Sequence, residues 1–300
     1  MPPKPRTARD YEDDATAASR IGLAEIMTAL GAYRDALVLI GGWAPYLILE
    51  QFGERGAFQG DTFQGDAFQT VFAHVGSIDI DFVVDPAIVD ADRYATIVEL
   101  LLSRGYEPVK DSLFQFQKII ASPVNGRPHL IRVDFLTPRP LTGEGRSHRH
   151  REIQHDLQAR TLEGADVALR HWFWYEFDAQ LPDGAQTRVR VKVTDVVGNL
   201  ALKGIAIGER YAEKDAYDIY ALGAHYRGGP AAVAAALQQF REEELVRHGL
   251  AAIAEKFRDK GAEGPTWVAV FLSEGNAESD EKIRVDAFMT IQEVLRLVSG

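Results

Sequence analysis

The chain has 300 residues, 46% of them hydrophobic, and a formal net charge of −11. This length is enough for a sizeable core and for two domains, and the acidic charge argues against a protein that coats nucleic acid through a basic surface. The absence of cysteine excludes disulfides, thiolate catalysis and cysteine-ligated zinc. No apolar run of about 18 residues is present, so no membrane span is predicted.

The N-terminal part of the chain predicts a tail, a helix and a buried strand. Residues 1–14 lack an apolar signal core, and we expect a disordered tail and a cytoplasmic protein. Apolar residues recur at helical spacing over 15–34, which predicts a helix. The apolar run 37–40 predicts a buried strand, and residues 43–52 are typical of a helix.

Gly41 and Gly42 separate that strand from the helix that follows. A tight glycine turn between a strand and a helix can direct backbone N–H groups toward an anion, so both are candidate nucleotide-binding residues. Close packing of the strand against the helix explains the pair equally well. Further along, residues 57–69 repeat the unit Phe-Gln-Gly-Asp, which we interpret as an insertion loop beside the site.

Two aspartates, Asp79 and Asp81, follow Gly76 and Ser77 in the sequence Gly-Ser-Ile-Asp-Ile-Asp. On a strand the two carboxylates would point to one face while Ile80 points to the other. Neighbouring carboxylates repel each other, and a hard cation offsets that cost; Mg²⁺ prefers one or two carboxylates together with substrate phosphates. The serine hydroxyl and the glycine N–H can donate to a phosphate. The pattern therefore predicts metal-assisted phosphoryl or nucleotidyl transfer.

A third carboxylate, Asp134, lies on a strand predicted over 130–136. Residues 92–105 are typical of a helix, and residues 114–121 form another predicted strand, joined to 130–136 by a Pro-Val-Asn-Gly hairpin signal. If the strand of Asp134 neighbours the strand of the other two aspartates, Asp134 can complete a metal site and activate an attacking hydroxyl. An ion pair with Arg132 is the alternative.

Residues 139–151 are the densest basic stretch, with four arginines and two histidines. One interpretation is a solvated loop, and the other is contact with the phosphates of a large substrate. Strands are predicted next over 168–180 and 187–193. Beyond residue 194 the pattern is helical, with helices predicted over 195–208, 213–225, 230–240, 242–259 and 279–298. Residues 267–272 fit a strand or a buried helical turn.

The sequence thus predicts an α+β fold in three parts. These are an N-terminal tail and helix over 1–34, a core with a mixed sheet over 35–194, and a helical C-terminal domain over 195–300.

Three charged residues of the helical part are candidates for the site. Lys203 lies on an otherwise apolar helical stripe, so its ammonium needs an anionic partner, for which a triphosphate is a candidate, or must extend to water. Lys214 and Asp218 are four residues apart and could simply pair on a helix surface.

Together these segments resemble the polymerase-β-type nucleotidyltransferase superfamily, and specifically the AbiEii/AbiGii-type toxins, the enzyme halves of bacterial toxin–antitoxin and phage-defence pairs. The resemblance covers residues 35–225. Four segments carry it in the family's order: Leu-Val-Leu-Ile-Gly-Gly at 37–42, His-Val-Gly-Ser-Ile-Asp-Ile-Asp at 74–81, Arg-Val-Asp at 132–134, and Leu-Lys at 202–203 followed by Lys-Asp-Ala-Tyr-Asp-Ile-Tyr at 214–220.

The resemblance implies a nucleotidyltransferase core that depends on Mg²⁺, with Mn²⁺ as an alternative, and transfers a nucleoside monophosphate from an NTP to an acceptor such as the 3′ end of tRNA. It implies Asp79, Asp81 and Asp134 as metal ligands and catalytic residues, joined in catalysis by Lys203 and Asp218. The nucleotide-binding residues that it implies are Gly41, Gly42, Gly76, Ser77, Lys203 and Lys214. A cognate antitoxin protein is the implied partner.

The chain departs from the family pattern at Val75 and Ile78, where many relatives carry basic residues. Two other functions stay open: a small-molecule nucleotidyltransferase of the antibiotic-modifying type, and a non-catalytic nucleotide-binding module on the same fold. The three carboxylates argue against the non-catalytic module, because a binding module gains nothing from a costly acidic cluster.

Overall fold

The computed structural model describes residues 7–53, 74–89, 95–140, 149–211, 213–273 and 275–300. The predicted insertion loop at 57–69, the first residues of the predicted tail and residues 141–148 of the basic stretch lie outside the described residues.

The described residues form α-helices and β-strands in an α+β arrangement, as the sequence predicted. The helices are α1 Asp13–Ala29, α2 Trp43–Phe52, α3 Ile97–Ser103, α4 Ala165–Arg170, α5 Val196–Glu209, α6 Glu213–His225, α7 Pro230–Gln238, α8 Glu244–Lys256, α9 Glu263–Leu272 and α10 Ala277–Ser299. The strands are β1 Leu37–Ile40, β2 Ile80–Val84, β3 Glu107–Pro108, β4 Gln115–Ala121, β5 Pro128–Pro138, β6 His150–Gln154, β7 Leu157–Leu162, β8 Trp172–Gln180 and β9 Gln186–Thr194. Short 3₁₀ helices lie at Ala8–Asp10 and Gly31–Ala36.

The chain divides into two compact units. The sheet unit comprises Tyr11–Ala44 and Gly76–Leu202 and contains all the strands named above, whereas the helical unit comprises Met1–Asp10, Pro45–Val75 and Lys203–Gly300 and contains α6 to α10. A mixed sheet followed by a helical C-terminal region is therefore confirmed.

The sheet has the strand order β3-β4-β5-β2-β1-β9-β8, and β7 pairs with both β5 and β6. It is mixed, because β2 runs parallel to β5 but antiparallel to β1. Strand β5 is central to the site, since it pairs with β2, β4 and β7.

Side-chain alternation on β5 separates a core face from the face that carries the candidate site. Ile131, Val133 and Phe135 are fully buried on the face against which α1 packs. Leu136 points the other way and packs with Val83 and with α4. Asp134 shares the face of Leu136 because side chains two residues apart lie on one side of a strand.

Two predicted elements need correction. Residues 168–170 belong to α4 and not to a strand, because the small residues of this segment are buried against the sheet as one helical face and the strand begins only at Trp172. The interpretation of the basic stretch as a solvated loop is wrong for His150 and Arg151, which open β6 and pair with β7. Residues 267–272 are helical, in α9.

No helix within the described ranges combines the length and apolar character that crossing a membrane requires.

Candidate functional site

Asp81 and Asp134 lie opposite each other on the parallel strands β2 and β5. Both residues are half-buried. The strand of Asp134 is therefore the neighbour that the sequence analysis required for a joint site. Parallel register brings the two carboxylates to the same level of one sheet face, one alternation step from the packed pair Val83 and Leu136.

Asp79 does not lie on the strand, which corrects the prediction that alternation alone orients it. It occupies an exposed bend just before β2. Burial raises the pKa of the Asp134 carboxyl, and the negative charge of Asp79 raises it further. The Gln115 side-chain amide, which donates to both Asp134 oxygens at 3.0 and 2.9 Å, opposes this rise, as do the charges of Arg160 and Arg132. Asp134 is thus a carboxylate whose ionised form is incompletely compensated.

Gly41 lets the turn after β1 approach the carboxylate of Asp81. Its φ of 67° lies in the left-handed region, and a Cβ at this position would overlap Asp81 Oδ2 and lie 2.9 Å from the carboxyl carbon. Glycine is therefore required both by the backbone and by the close approach. Gly42 completes the turn. Binding of a nucleotide by these two residues stays a prediction.

Gly76 and Ser77 form the loop that leads to Asp79. Gly76 has a φ of 73°, and an added Cβ would lie 2.7 Å from Thr16 Oγ1 on α1. The buried hydroxyl of Ser77 donates to the backbone carbonyl of Asp79 at 3.0 Å. Ser77 therefore holds the backbone of Asp79, and its predicted contact with a phosphate stays a prediction.

Helix α1 holds the loop at residues 76–79 in place through one buried hydroxyl group. Ser19 Oγ donates to the carbonyl of Ile78 at 2.7 Å and accepts from Trp43 Nε1 at 3.1 Å. Ser19 and Trp43 are both fully buried, so neither bond competes with water. The position of the Asp79 bend relative to the sheet is consequently well determined.

A second group of charged residues lies within the helical unit. Lys203 Nζ is 2.7 Å from both Asp215 Oδ1 and Asp218 Oδ2, and Lys214 Nζ is 3.1 Å from Asp218 Oδ1. Arg210 reaches the other oxygen of Asp215 at 2.8 Å. Lys203 is buried, so the interpretation that it extends to water is wrong, and the anionic partners that the structure gives it are aspartates. Its contact with a triphosphate stays a prediction.

These buried charges compensate one another. Burial alone would raise the pKa of Asp218, but Lys203 and Lys214 outweigh burial and hold it far below its ordinary value. Burial alone would lower the pKa of Lys203, but Asp215 and Asp218 raise it well above the ordinary value. Both partners therefore stay ionised at neutral pH.

His74, which the sequence resemblance includes without a role, completes this group. Its Nε2 lies 3.0 Å from Asp218 Oδ1, and its ring packs 5.1 Å from the Tyr217 ring. Burial, with Lys214 and Lys203 adding to it, lowers the pKa of His74 from 6.5 to about 4, against the opposing effect of Asp218. The imidazole is thus neutral at neutral pH, and its Nε2–H donates to Asp218. No local signal predicts a contact between residues 144 positions apart.

The side chains of Asp79, Asp81 and Asp134 offer oxygen ligands alone. Among the residues that the structure describes, no three histidine, cysteine, aspartate or glutamate side chains converge into a ready-made metal site. Carboxylate oxygen is nevertheless the ligand type that Mg²⁺ prefers, and the repulsion between Asp79 and Asp134 is a cost that a cation would offset. The donor chemistry fits Mg²⁺, and the carboxylates would have to close around it.

Comparisons with known proteins give two structural likenesses. No protein-family model and no curated protein matches the chain. JHP933 from Helicobacter pylori is similar with a TM-score of 0.41 and 13% sequence identity, over 96% of this chain and 94% of that chain. A structure described as a "putative nucleotidyltransferase from H. pylori" has a TM-score of 0.40 and 11% identity, over 96% of this chain and 97% of that chain. Likenesses at this level identify neither a family nor an activity.

The contact between Gly41 and Asp81 predicts the cost of a methyl group at this turn. Gly126 is a matched control, because its φ is 74° and an added Cβ would meet no atom within 4 Å. Gly126→Ala should cost only the left-handed strain of about 1–2 kcal/mol. Gly41→Ala should cost roughly 1–3 kcal/mol more, from overlap with the carboxylate, as measured by urea unfolding. The extra cost should vanish when Asp81 is also replaced by alanine. Equal costs for the two glycines would contradict the contact.

The buried imidazole of His74 predicts a loss of stability in acid. Since its folded pKa lies below the unfolded value, the unfolded chain binds more protons, and stability falls as the pH drops from about 6.5 to about 4. The contribution is on the order of 3 kcal/mol. His74→Gln keeps an N–H donor for Asp218 but cannot take up a proton. Urea unfolding across this range should therefore show a smaller loss for the variant, and an equal loss would show that His74 is not the group responsible.

Proposed function

We propose that this chain is an Mg²⁺-dependent nucleotidyltransferase, with Mn²⁺ as an alternative metal, that transfers a nucleoside monophosphate from an NTP to a hydroxyl acceptor. The observation that carries the proposal is the in-register placement of Asp81 and Asp134 on neighbouring parallel strands, beside the charge of Asp79. Burial and the charge of Asp79 raise the pKa of Asp134, and a carboxyl perturbed in this way is typical of a functional site.

The reaction that we propose is an in-line displacement at the α-phosphorus. The acceptor oxygen forms a bond to that phosphorus, the bond to the bridging oxygen of the β-phosphate breaks, and pyrophosphate leaves. Asp134 would take the proton of the attacking hydroxyl as the general base. Gln115 holds both oxygens of Asp134 in place for this step.

Asp79, Asp81 and Asp134 would hold the metal ion. When bound, such an ion offsets the repulsion among carboxylates and stabilises the charge that develops on the leaving pyrophosphate. The phosphates would be held by backbone and side-chain donors and by ammonium groups. In the sheet unit these donors would be Gly41, Gly42, Gly76 and Ser77. For Lys203 and Lys214 of the helical unit, the sequence resemblance alone supports contact with a phosphate. Asp218, which lies within hydrogen-bonding distance of both lysines, would act as a positioning residue.

The finer part of the proposal concerns the acceptor and the biological role. The four sequence segments that resemble the AbiEii/AbiGii-type toxins support an RNA 3′ end, such as that of tRNA, as acceptor. They also support the role of a toxin that blocks translation and is neutralised by a cognate antitoxin protein.

Incubation of the purified protein with total tRNA, Mg²⁺ and each α-³²P-labelled NTP in turn tests the proposal. We expect transfer of label from at least one NTP, and a loss of at least about 100-fold when Asp79→Ala and Asp81→Ala are combined. Asp178→Ala with Asp183→Ala, two exposed acids of the same unit, is the matched control and should label as the wild type does.

Wild-type transfer in the Asp79→Ala, Asp81→Ala variant would overturn the assignment of these carboxylates. Label that reaches a small hydroxyl compound and no RNA would keep the transferase and exclude the tRNA acceptor.

A further inference from the structure

A group of aromatic and basic side chains borders the aspartates within the sheet unit. Phe114 lies just before β4 and His150 opens β6, with ring centroids 5.4 Å apart and planes 32° from parallel. The guanidinium of Arg160 on β7 lies 5.7 Å from the centre of the Phe114 ring. Together with Arg132, these residues form what we call the ring–arginine group.

Strand register makes this group continuous with the carboxylates. Arg160 is paired with Leu136 on β5 and with His150 on β6, while Gln115, the residue after Phe114, is paired with Asp134. Leu136 and Asp134 share a sheet face, so Arg160 and His150 lie on that face as well. Arg132 and Arg160 both act electrostatically on the Asp134 carboxyl. The ring–arginine group is therefore directly adjacent to the candidate site at Asp134.

The chemistry of the group suits a nucleotide better than a polycationic small molecule. Arg160 is exposed, and Phe114, His150 and Arg132 are half-buried, so rings and guanidinium groups reach the surface together. Aromatic side chains provide stacking platforms for bases, and the guanidinium fork matches a phosphate. Two arginines beside the site would repel a polyamine-like acceptor. The group also explains how a chain with net charge −11 could approach a polyanion locally.

We propose that the ring–arginine group is the acceptor subsite and takes a nucleotide unit, with its base stacked on Phe114 and His150 and its phosphate at Arg132 and Arg160. The proposal rests on the proposed transferase function only in naming this ligand the acceptor. Base and phosphate together could belong to a free mononucleotide or to the end of an RNA chain, and competition distinguishes the two sources.

Binding of a 5′-fluorescein-labelled single-stranded RNA to the full-length protein, followed by fluorescence anisotropy with Mg²⁺ and without NTP, tests the subsite. Phe114→Leu keeps apolar volume but removes the flat ring, and should weaken binding on the order of tenfold at unchanged salt dependence. Phe114→Trp should retain binding. Arg160→Gln should reduce the slope of log K against log salt by about 0.7, one phosphate contact on a single strand. Arg188→Gln, at an exposed position of β9 in the same unit, is the matched charge control and should behave as the wild type.

Competition by AMP as effective as competition by unlabelled RNA would identify a free nucleotide as the ligand, and competition by RNA alone would identify a chain end; both support the subsite. Absence of any RNA or AMP binding, or equal binding by Phe114→Leu, Arg160→Gln and Arg188→Gln, would overturn it. Because NTP is absent, this result is separate from the transfer assay. Binding that responds to these variants, with no transfer from any NTP, would refute the proposed function and leave the subsite in place.

Discussion

The parallel pairing of β2 with β5 sets Asp81 directly beside Asp134, and several features of the sheet unit bear on the carboxylates of these two residues. The glycine at 41 leaves room for the Asp81 carboxylate. Gln115 donates two hydrogen bonds to Asp134, which partly relieves a carboxyl that burial and Asp79 make costly to ionise.

In the helical unit, buried charges lie next to charges of the opposite sign. Lys203 and Lys214 are matched by Asp215 and Asp218 at hydrogen-bonding distance, and His74 donates to Asp218 in its neutral form. Such a network is strongly destabilised by the loss of one member, because the remaining charge is left buried without a partner. Burial nevertheless lowers the pKa of Lys214, so the network does not fully compensate the burial of this ammonium. In the sheet unit, Asp134 has a raised pKa and is the carboxylate whose charge a bound cation would stabilise.

Short-range sequence patterns correctly predicted the helices and strands that depend on neighbouring residues alone. The bounds of β1, α2 and α6 follow from apolar runs, glycine turns and helical spacing, and the alternation on β5 placed Asp134 on the correct face. Strand β6 was not predicted, because His150 and Arg151 are polar on both faces and its partner β7 holds it in place. The contacts of Arg160 with Phe114 and of His74 with Asp218 could not be predicted from the sequence either, because they depend on strand order and tertiary packing and not on residue spacing.

The central claim is that Asp79 and Asp134 repel each other and that a divalent cation relieves this repulsion. The most direct test is the free energy of unfolding of the wild type and of Asp134→Asn at pH about 8, in EDTA and in excess Mg²⁺. The folded pKa of Asp134 lies above its unfolded value. Ionisation of this carboxyl therefore lowers the free energy of unfolding at pH values above the folded pKa, and this cost is absent below about pH 4. We therefore expect Asp134→Asn to be more stable than the wild type in EDTA, whereas Asp178→Asn, which removes an exposed ion-paired carboxylate, should give no such gain. Mg²⁺ should stabilise the wild type more than Asp134→Asn. A wild type that is the more stable protein in EDTA, or an equal response of both proteins to Mg²⁺, would contradict the claim.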